Sequence, residues 1–477
     1  MRELEVYLNS QKIGILRYLR GNRVAIEYAA NAPHPISLSL PLMGKIHRDA
    51  PARYLDNLLP DDLEARSWMA GQIDAKNTSI FSILEKAGID VIGGLVMVPP
   101  GTNFPPEQLI PASDVAIAAH IRSLKRHGFT WTEEHIRPRF SLPGAQPKFT
   151  LTKIGEDFYW SNASSPSTHI LKPEGRYKGA EVVELASMQL ASAVGLEVPE
   201  VSRMTKKGET AYLIKRFDRV TDGNGNTHRI HMEDMVQALG KKPGFKYHAS
   251  LEEITKLLKN SDATERAPFD FLKQVAYNAA IANNDAHAKN YSIFHKEDGI
   301  SITPLYDSIA TAYWKEFSIG LDMPFDRDKR ITSTALSSWT WLANTVGLEP
   351  DRVAGTVEEI FTKVKELAPE YFKDIPEPGR SRILASIENA REQTFRATSG
   401  VIPLSPGTTV TPTKVVSPAT STSAGIVSSG SSAIVASSSS KSGTAICRGC
   451  GRPISSAKSV ARGYGDECYK NFLQDMN

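Results

Sequence analysis

Asn283-Asn284-Asp285-Ala286-His287-Ala288-Lys289-Asn290 places an aspartate and an asparagine five positions apart. Residues of these types at this spacing suit phosphoryl transfer. The Asp285 carboxylate can orient an attacking hydroxyl and accept its proton, and the Asn290 amide oxygen is a neutral, hard ligand for Mg²⁺. Such a pair arises by chance on the order of once in a chain this long, and a polar turn between a helix and a strand uses the same residue types. A second carboxylate tips the balance. Ser292–Phe294 and Ile300–Thr303 flank Lys296-Glu297-Asp298-Gly299, a hairpin turn, and the second strand runs into Pro304-Leu305-Tyr306-Asp307. The chemistry needs a metal-binding carboxylate soon after the catalytic loop, and Asp307, 17 residues past Asn290, fits that role. The competing reading is a helix-capping aspartate before Ser308.

Phosphates also need cations and a close-fitting loop. Ser141-Leu142-Pro143-Gly144-Ala145-Gln146-Pro147-Lys148 offers a small-residue turn followed by lysine. It is neither a Walker P-loop nor a Gly-x-Gly-x-x-Gly fingerprint, and an ordinary hairpin accounts for it equally. Lys172, inside the apolar Ile170-Leu171-Lys172-Pro173, is a strand lysine of the kind that pairs with ATP phosphates; a solvated strand lysine is the alternative.

The elements that must position these residues follow from periodicity. Leu4–Leu16 reads as strand, turn, strand; Val24–Tyr28 and Ile36–Leu40 as further strands; Ala52–Ala70 as a helical stretch. Residues 1–130 thus form a small α+β unit without a residue that reads as catalytic. Arg139–Leu151 reads as strand, glycine turn, strand; His169–Lys172 and Ala211–Phe217 are strands; Ala180–Val194 is a helix stopped by Gly195. From about His231 the pattern is mainly helical, in Glu233–Leu239, Leu251–Lys259, Phe269–Ala282 and Arg352–Leu367. This gives a small ATP-binding lobe over 131–230 and a helical lobe over 231–398. Residues 399–445 are rich in Ser, Thr, Pro and Gly, with only Lys414 and Lys441 charged, and read as a disordered linker. Residues 446–477 form a small final module.

Of 477 residues, 41% are hydrophobic and 23% charged, a soluble globular balance with room for two or three domains. A net charge of +3 does not announce a nucleic-acid binder. The N-terminus lacks the order of a secretory signal, and apolar runs such as Val91–Val98 are too short to span a bilayer. The three cysteines, Cys447, Cys450 and Cys468, all fall in the last 31 residues. A reducing, cytoplasmic location is the simpler expectation.

The Ser141–Lys148 segment, His169-Ile170-Leu171-Lys172-Pro173, Lys215-Arg216-Phe217-Asp218-Arg219, Glu233-Asp234, Asn284–Asn290 and Pro304–Asp307 together, in this order, resemble HipA-type toxin kinases over roughly residues 1–395. The resemblance implies a two-lobed, protein-kinase-like α+β fold and an ATP-dependent serine/threonine kinase. It makes Asp285 the catalytic base, Asn290 and Asp307 the Mg²⁺ ligands and Lys172 a phosphate contact. Pro143, Gly144, Ala145, Gln146, Pro147 and Lys148 would cover the nucleotide. Lys215, Arg216 and Phe217 would form a hinge meeting the adenine through backbone groups; the family commonly has Glu where Lys215 stands. His287, Ala288, Lys289, Asn290 and Tyr306 would line the site, and Ser141 would be the autophosphorylated serine, whose phosphate adds charge beside the nucleotide. The implied biology is a toxin–antitoxin module. A HipB-like helix-turn-helix antitoxin would bind the kinase and operator DNA, and the target would be a translation component such as an aminoacyl-tRNA synthetase. The Asp-x-His-x-x-Asn pattern also resembles lipid-kinase loops, so a lipid or small-molecule kinase is the runner-up, against which stands the lack of a basic amphipathic membrane-binding stretch. The rival of another class is a non-catalytic regulator using its tail to bind DNA or protein.

Cys447-Arg448-Gly449-Cys450 opens like a zinc knuckle. Cys468 adds a third thiol, no histidine follows His295, and Asp466, Glu467 or another chain would complete a Zn²⁺ site. The alternative is a helical tail with incidental cysteines. A module this short needs such a staple. The segment is similar to small cysteine modules appended to varied phage and bacterial proteins.

Overall fold

The computed structural model describes residues 2–8, 11–42, 46–48, 50–102, 109–127, 146–160, 166–222, 227–317, 321, 323–327 and 333–396, with the backbone of 445–446 and 453–454. It divides into two compact units, Met1–Ser399 and Gly400–Asn477.

Alternation of Leu4, Val6 and Leu8 with polar residues gives the first strand one buried face. Strands β1 (Glu3–Leu8), β2 (Gln11–Tyr18), β3 (Val24–Tyr28), β4 (Ile46–Arg48) and β5 (Leu95–Val98) form an antiparallel sheet in the order β4-β3-β2-β1-β5. Helices α1 (Ala50–Asp56), α2 (Leu63–Gln72) and α3 (Ile80–Ala87) share its core, around Leu16, Ile26, Tyr54, Leu55 and Phe81. The single helical stretch expected over Ala52–Ala70 is two helices. Pro60 has no N–H to continue a helix, and Asp62 restarts one by accepting the Glu64 and Ala65 N–H groups. Ile36–Leu40 is a turn, not a strand. The Leu40 N–H donates to Ser37 O (3.0 Å), the Ser39 N–H to Ser37 Oγ (3.0 Å) and the Leu38 N–H to Glu233 Oε1 (2.8 Å), so serine side chains displace ladder pairing.

A second antiparallel sheet runs β10-β11-β9-β7-β8-β6. It is built from β6 (Ile110–Pro111), β7 (Phe149–Ile154), β8 (Asp157–Trp160), β9 (His169–Pro173), β10 (Val201–Lys206) and β11 (Glu209–Lys215). Helix α4 (Asp114–His127) buries Ile117, Ile121 and Leu124 against Phe149, Leu151 and Leu171. Helix α5 (Ala180–Val194) ends at Gly195, whose φ of +102° needs a residue without Cβ.

Beyond the hairpin β12 (Arg219–Thr221) and β13 (Thr227–Arg229), the chain is mostly helical around a three-stranded sheet. That sheet pairs β14 (Met232–Asp234), β15 (Ser292–Lys296) and β16 (Gly299–Ile302). The helix expected over Glu233–Leu239 is therefore shorter, α6 (Met235–Ala238), capped by Asp234. Helices α7 (Leu251–Ser261), α8 (Arg266–Ala280), α9 (Leu336–Val346), α10 (Pro350–Tyr371) and α11 (Gly379–Phe395) bury Leu272, Tyr277, Trp339 and Phe361 in the largest core. The class is α+β, as the sequence implies. No helix among the described residues is long and apolar enough to cross a membrane.

Candidate active site

The loop after α8 is shaped by its own side chains. Ala282 turns the chain at φ +55°. The Asn283 amide donates to Asn278 Oδ1 (2.8 Å) and accepts the Asp285 N–H on its oxygen (3.1 Å), an Asx turn. Asn290 closes the loop, donating from Nδ2 to Asp285 O (3.0 Å). Its nitrogen is thus spent on the loop, and its oxygen is the atom suited to a cation. Asp285 Oδ1 accepts from the Tyr247 hydroxyl at 3.0 Å.

Tyr247, Asp285 and Asn290 face a cavity of about 580 Å³, within the range of small-ligand sites. Lys172 of β9 and Asp307 line it with Asp285, His287 and Asn290. Lys172 Nζ donates to Glu184 Oε1 of α5 at 2.7 Å and also to Asp307 Oδ1. Burial opposes the charge of Lys172, but Asp307 and Glu184 outweigh it and hold the ammonium well above its usual range. Burial likewise opposes ionisation of Asp307, and Lys172 followed by Lys148 holds that carboxyl well below its usual range. Asp307 has φ +57°, a left-handed backbone rare outside glycine, and such strain concentrates at working sites. Lys148 differs: burial, then the like charge of Lys172, pushes it down to about 8. Burial, then Lys246, pushes His287 down to about 4, so its ring is neutral near pH 7. His287 Nδ1 is buried without a hydrogen-bond partner among the described residues.

At the other end the wall is apolar, with Ile170, Ile214, Met232, Phe217 and Tyr306. The Tyr306 hydroxyl donates to Lys289 O (2.8 Å), and its ring lies 5.5 Å from that of Phe217. The expected hinge is only partly open to a base. The Lys215 N–H donates to Glu200 O (2.9 Å) and the Arg216 N–H to Thr168 O (2.8 Å). Lys215 Nζ pairs with Glu200 (3.2 Å), and the Arg216 guanidinium is buried on Asp218 and Ser167. A base contact there falls to Phe217 or to a carbonyl oxygen.

Gln146, Pro147, Lys148, Lys289 and Tyr306 also line the cavity, whereas Ala288 is packed into the helical core. Ser141, Pro143, Gly144 and Ala145 lie outside the described residues, as do Cys447, Cys450 and Cys468. Around the first two cysteines, Ala445–Ile446 pairs antiparallel with Pro453–Ile454. Sequence reasoning missed Glu184, Tyr247, Lys246, Asn57 and Asp61, all in the cavity wall. Glu184 left a signal, a carboxylate beside the apolar stripe of α5, 12 residues past a strand lysine; the others left none.

The residues fit a magnesium nucleotide. No group of three or more His, Cys, Asp or Glu among the described residues could hold a metal ion. Magnesium held by one or two side chains and substrate phosphates needs no such cage, and Asn290 and Asp307, both lining the cavity, have the donor types for such a pair. The polar end offers Lys148, Lys172 and the open His287 nitrogen.

Residues 4–98 match the HipA N-terminal domain, and residues 140–368 match the HipA-like C-terminal domain. Both main domains are HipA-like. Among relatives, the putative kinase Y4mE of Sinorhizobium fredii is 28% identical over 355 residues, covering 71% of this chain and 83% of that one. The serine/threonine-protein kinase toxin HipA of Shewanella oneidensis is 26% identical over 395 residues, covering 78% of this chain and 90% of that one. The HipA fold itself is shared with the solved complex of Shewanella oneidensis MR-1 HipA, HipB and operator DNA, at TM-score 0.68 and 24% identity over 81% of this chain and 97% of that one. Beyond the HipA-like part, residues 443–473 match a family of unknown function, DUF6011.

Proposed function

We propose that this protein is a HipA-type, two-lobed serine/threonine protein kinase that transfers the γ-phosphate of ATP to a protein hydroxyl. The observation that carries the reading is Lys172, held between Glu184 and Asp307 in the same cavity as Asp285 and Asn290. A strand lysine tied to a helix glutamate, opposite a catalytic-loop Asp and Asn and a later Asp, is the working set of a protein kinase. The kinase names of the relatives support it.

In this reading the base packs against Phe217, Tyr306, Ile170 and Ile214, and Lys172 and Lys148 face the phosphates. Mg²⁺, held by Asn290 and Asp307, supplies charge neutralisation on those phosphates when bound. Asp285 orients the acceptor hydroxyl and takes its proton. Positioning and charge carry the rate more than covalent chemistry does. Ser141 is the proposed autophosphorylation site. The proposed setting is a cytoplasmic toxin–antitoxin pair, with a HipB-like antitoxin as partner, contact with DNA through that antitoxin, and a translation component, such as an aminoacyl-tRNA synthetase, as target. The toxin names and the HipB complex among the relatives support that setting. The tail is proposed to hold Zn²⁺ through Cys447, Cys450 and Cys468.

The test is intact-mass analysis after incubation with Mg-ATP, beside Asp285→Asn. The wild type gains phosphate at Ser141 and the variant gains none. Phosphate elsewhere discards Ser141 as the site and keeps the kinase. An unphosphorylated protein that gains nothing overturns the reading.

Lys148 gives a second expected result. It is charged at pH 7 and largely neutral at pH 9, so one phosphate-facing cation disappears across that window. ATP affinity measured by calorimetry should fall by about tenfold from pH 7 to 9, the worth of one charge-assisted hydrogen bond. Lys148→Arg, whose cation does not titrate there, should give a flat profile.

A further inference from the structure

The N-terminal unit shows nothing catalytic in its sequence, yet it reaches the catalytic loop. The break between α1 and α2 places Asn57 and Asp61 against Lys289, which lies between His287 and Asn290. Lys289 Nζ donates to Asn57 Oδ1 (2.9 Å) and Asn57 O (3.1 Å), and lies 3.4 Å from Asp61 Oδ1 and 3.8 Å from Asp234 Oδ2. Asp61 Oδ2 in turn accepts from Lys246 Nζ at 3.2 Å, one residue before the tyrosine that donates to Asp285.

Of the two carboxylates near Lys289, Asp61 is the nearer and the more firmly ionised. Burial works against both, but Lys289 and Lys246 bring Asp61 down to about 2, whereas burial takes Asp234 up to about 6. A buried ammonium without its counter-ion is strongly unfavourable, so Lys289 cannot leave Asp61 cheaply. Its backbone is held as well, because Lys289 O accepts from Tyr306, the residue before Asp307. Fixed at both ends, Lys289 leaves the adjoining Asn290 little freedom, and Asn290 closes the loop on Asp285.

We infer that Asp61 is a positioning residue of the kinase site, acting through Lys289 on the Asp285–Asn290 loop, so that the N-terminal domain is a working wall of the active site. The effect on turnover rests on the kinase reading; the effect on the loop rests on geometry alone. Adhesion between domains is a separate matter, because other contacts supply it: Arg219 to Asp90 (2.9 Å), Gly93 N–H to Asp218 (2.9 Å) and Leu38 N–H to Glu233 (2.8 Å). Losing Asp61 should therefore loosen the loop without undocking the domain.

The test uses full-length Asp61→Asn. Amide hydrogen exchange over residues 285–290 should rise about fivefold or more, with the β1–β5 sheet unchanged. ATP affinity should stay within about twofold while kcat falls roughly 100-fold, the usual effect of a displacement of about 1 Å. Asp61→Glu should recover part of kcat. Asp61→Asn combined with Lys289→Gln should be no slower than Lys289→Gln alone, since the two share one link. Should Asp61→Asn not fold, Lys289→Gln breaks the same link from the other side and should show the same local exchange. Unchanged exchange over 285–290, or a rise spread evenly through the N-terminal domain, overturns the inference. If the wild type itself does not turn over ATP, the kinase reading falls, and the exchange pattern still decides the positioning role.

Discussion

Asp307→Asn should fold, keep its nucleotide, and lose phosphoryl transfer by roughly 10³-fold, the effect of removing one group that stabilises developing charge. The substitution isolates a single charge. Asparagine tolerates the left-handed backbone that Asp307 adopts at φ +57°, so no new strain enters. Lys172 keeps its bond to Glu184 at 2.7 Å, so no buried cation is left alone. What disappears is the carboxylate that Lys172 and Lys148 hold ionised against burial, the one suited to a divalent cation beside Asn290. Single-turnover measurement of phosphate transfer at saturating Mg-ATP reads the loss, and thermal unfolding checks that the fold is kept. Transfer within about tenfold of wild type would remove Asp307 from the chemistry. Lys172→Met is a poorer probe, because it strands Glu184 in a buried position and mixes a stability defect with the catalytic one.

The contrast between these residues and Asp61 explains what could be read from sequence. Asp285 and Asn290 sit on one loop, and a single hairpin carries the chain on to Asp307, so their relation survives in spacing. Helix α5 shows its apolar stripe and its glycine stop. Asp61 meets Lys289 across 228 positions, and nothing in Leu59-Pro60-Asp61-Asp62 distinguishes a catalytic-loop anchor from a surface turn. The bond from Tyr247 to Asp285 is hidden for a different reason: Lys246-Tyr247 lies on a short turn without periodicity. Turns also account for the misread Ile36–Leu40. Ile36 and Leu40 are both fully buried, but serine side chains bonded to the backbone set the path between them. The Lys215–Arg219 run shows the opposite failure. Its residues carry the resemblance that implies a hinge, yet spacing cannot say which way a guanidinium points.

That direction has a measurable consequence. Arg216 grips both oxygens of Asp218, Nε to Oδ1 (2.9 Å) and a terminal nitrogen to Oδ2 (2.8 Å), while Arg219 donates to Asp218 Oδ2 (2.8 Å) and to Asp90 Oδ1 (2.9 Å). Ser167 Oγ bridges Arg216 and Asp90. All four charged residues are buried, so each depends on the others for solvation. Asp218→Asn removes the charge that both arginines share and leaves Asp90, already 4.0 Å from Arg229, to balance these two guanidiniums as well. The expected loss is about 3–5 kcal/mol, read from urea unfolding. The pH dependence should separate this loss from a packing defect. Burial opposes ionisation of Asp218, but Arg216 and Arg219 hold its folded value well below the unfolded one of 3.8. Its stabilisation is therefore complete above pH 3.8 and drains away as pH falls further, while a packing contribution would persist. The gap between wild type and Asp218→Asn should be full at pH 6 and should narrow steadily below about pH 4. A gap that stays constant into acid would mean that the charge of Asp218 contributes nothing. Because the same network ties Arg216, in the proposed hinge, to Asp90 of the N-terminal domain, the proposed kinase reading expects ATP binding to weaken along with stability in Asp218→Asn.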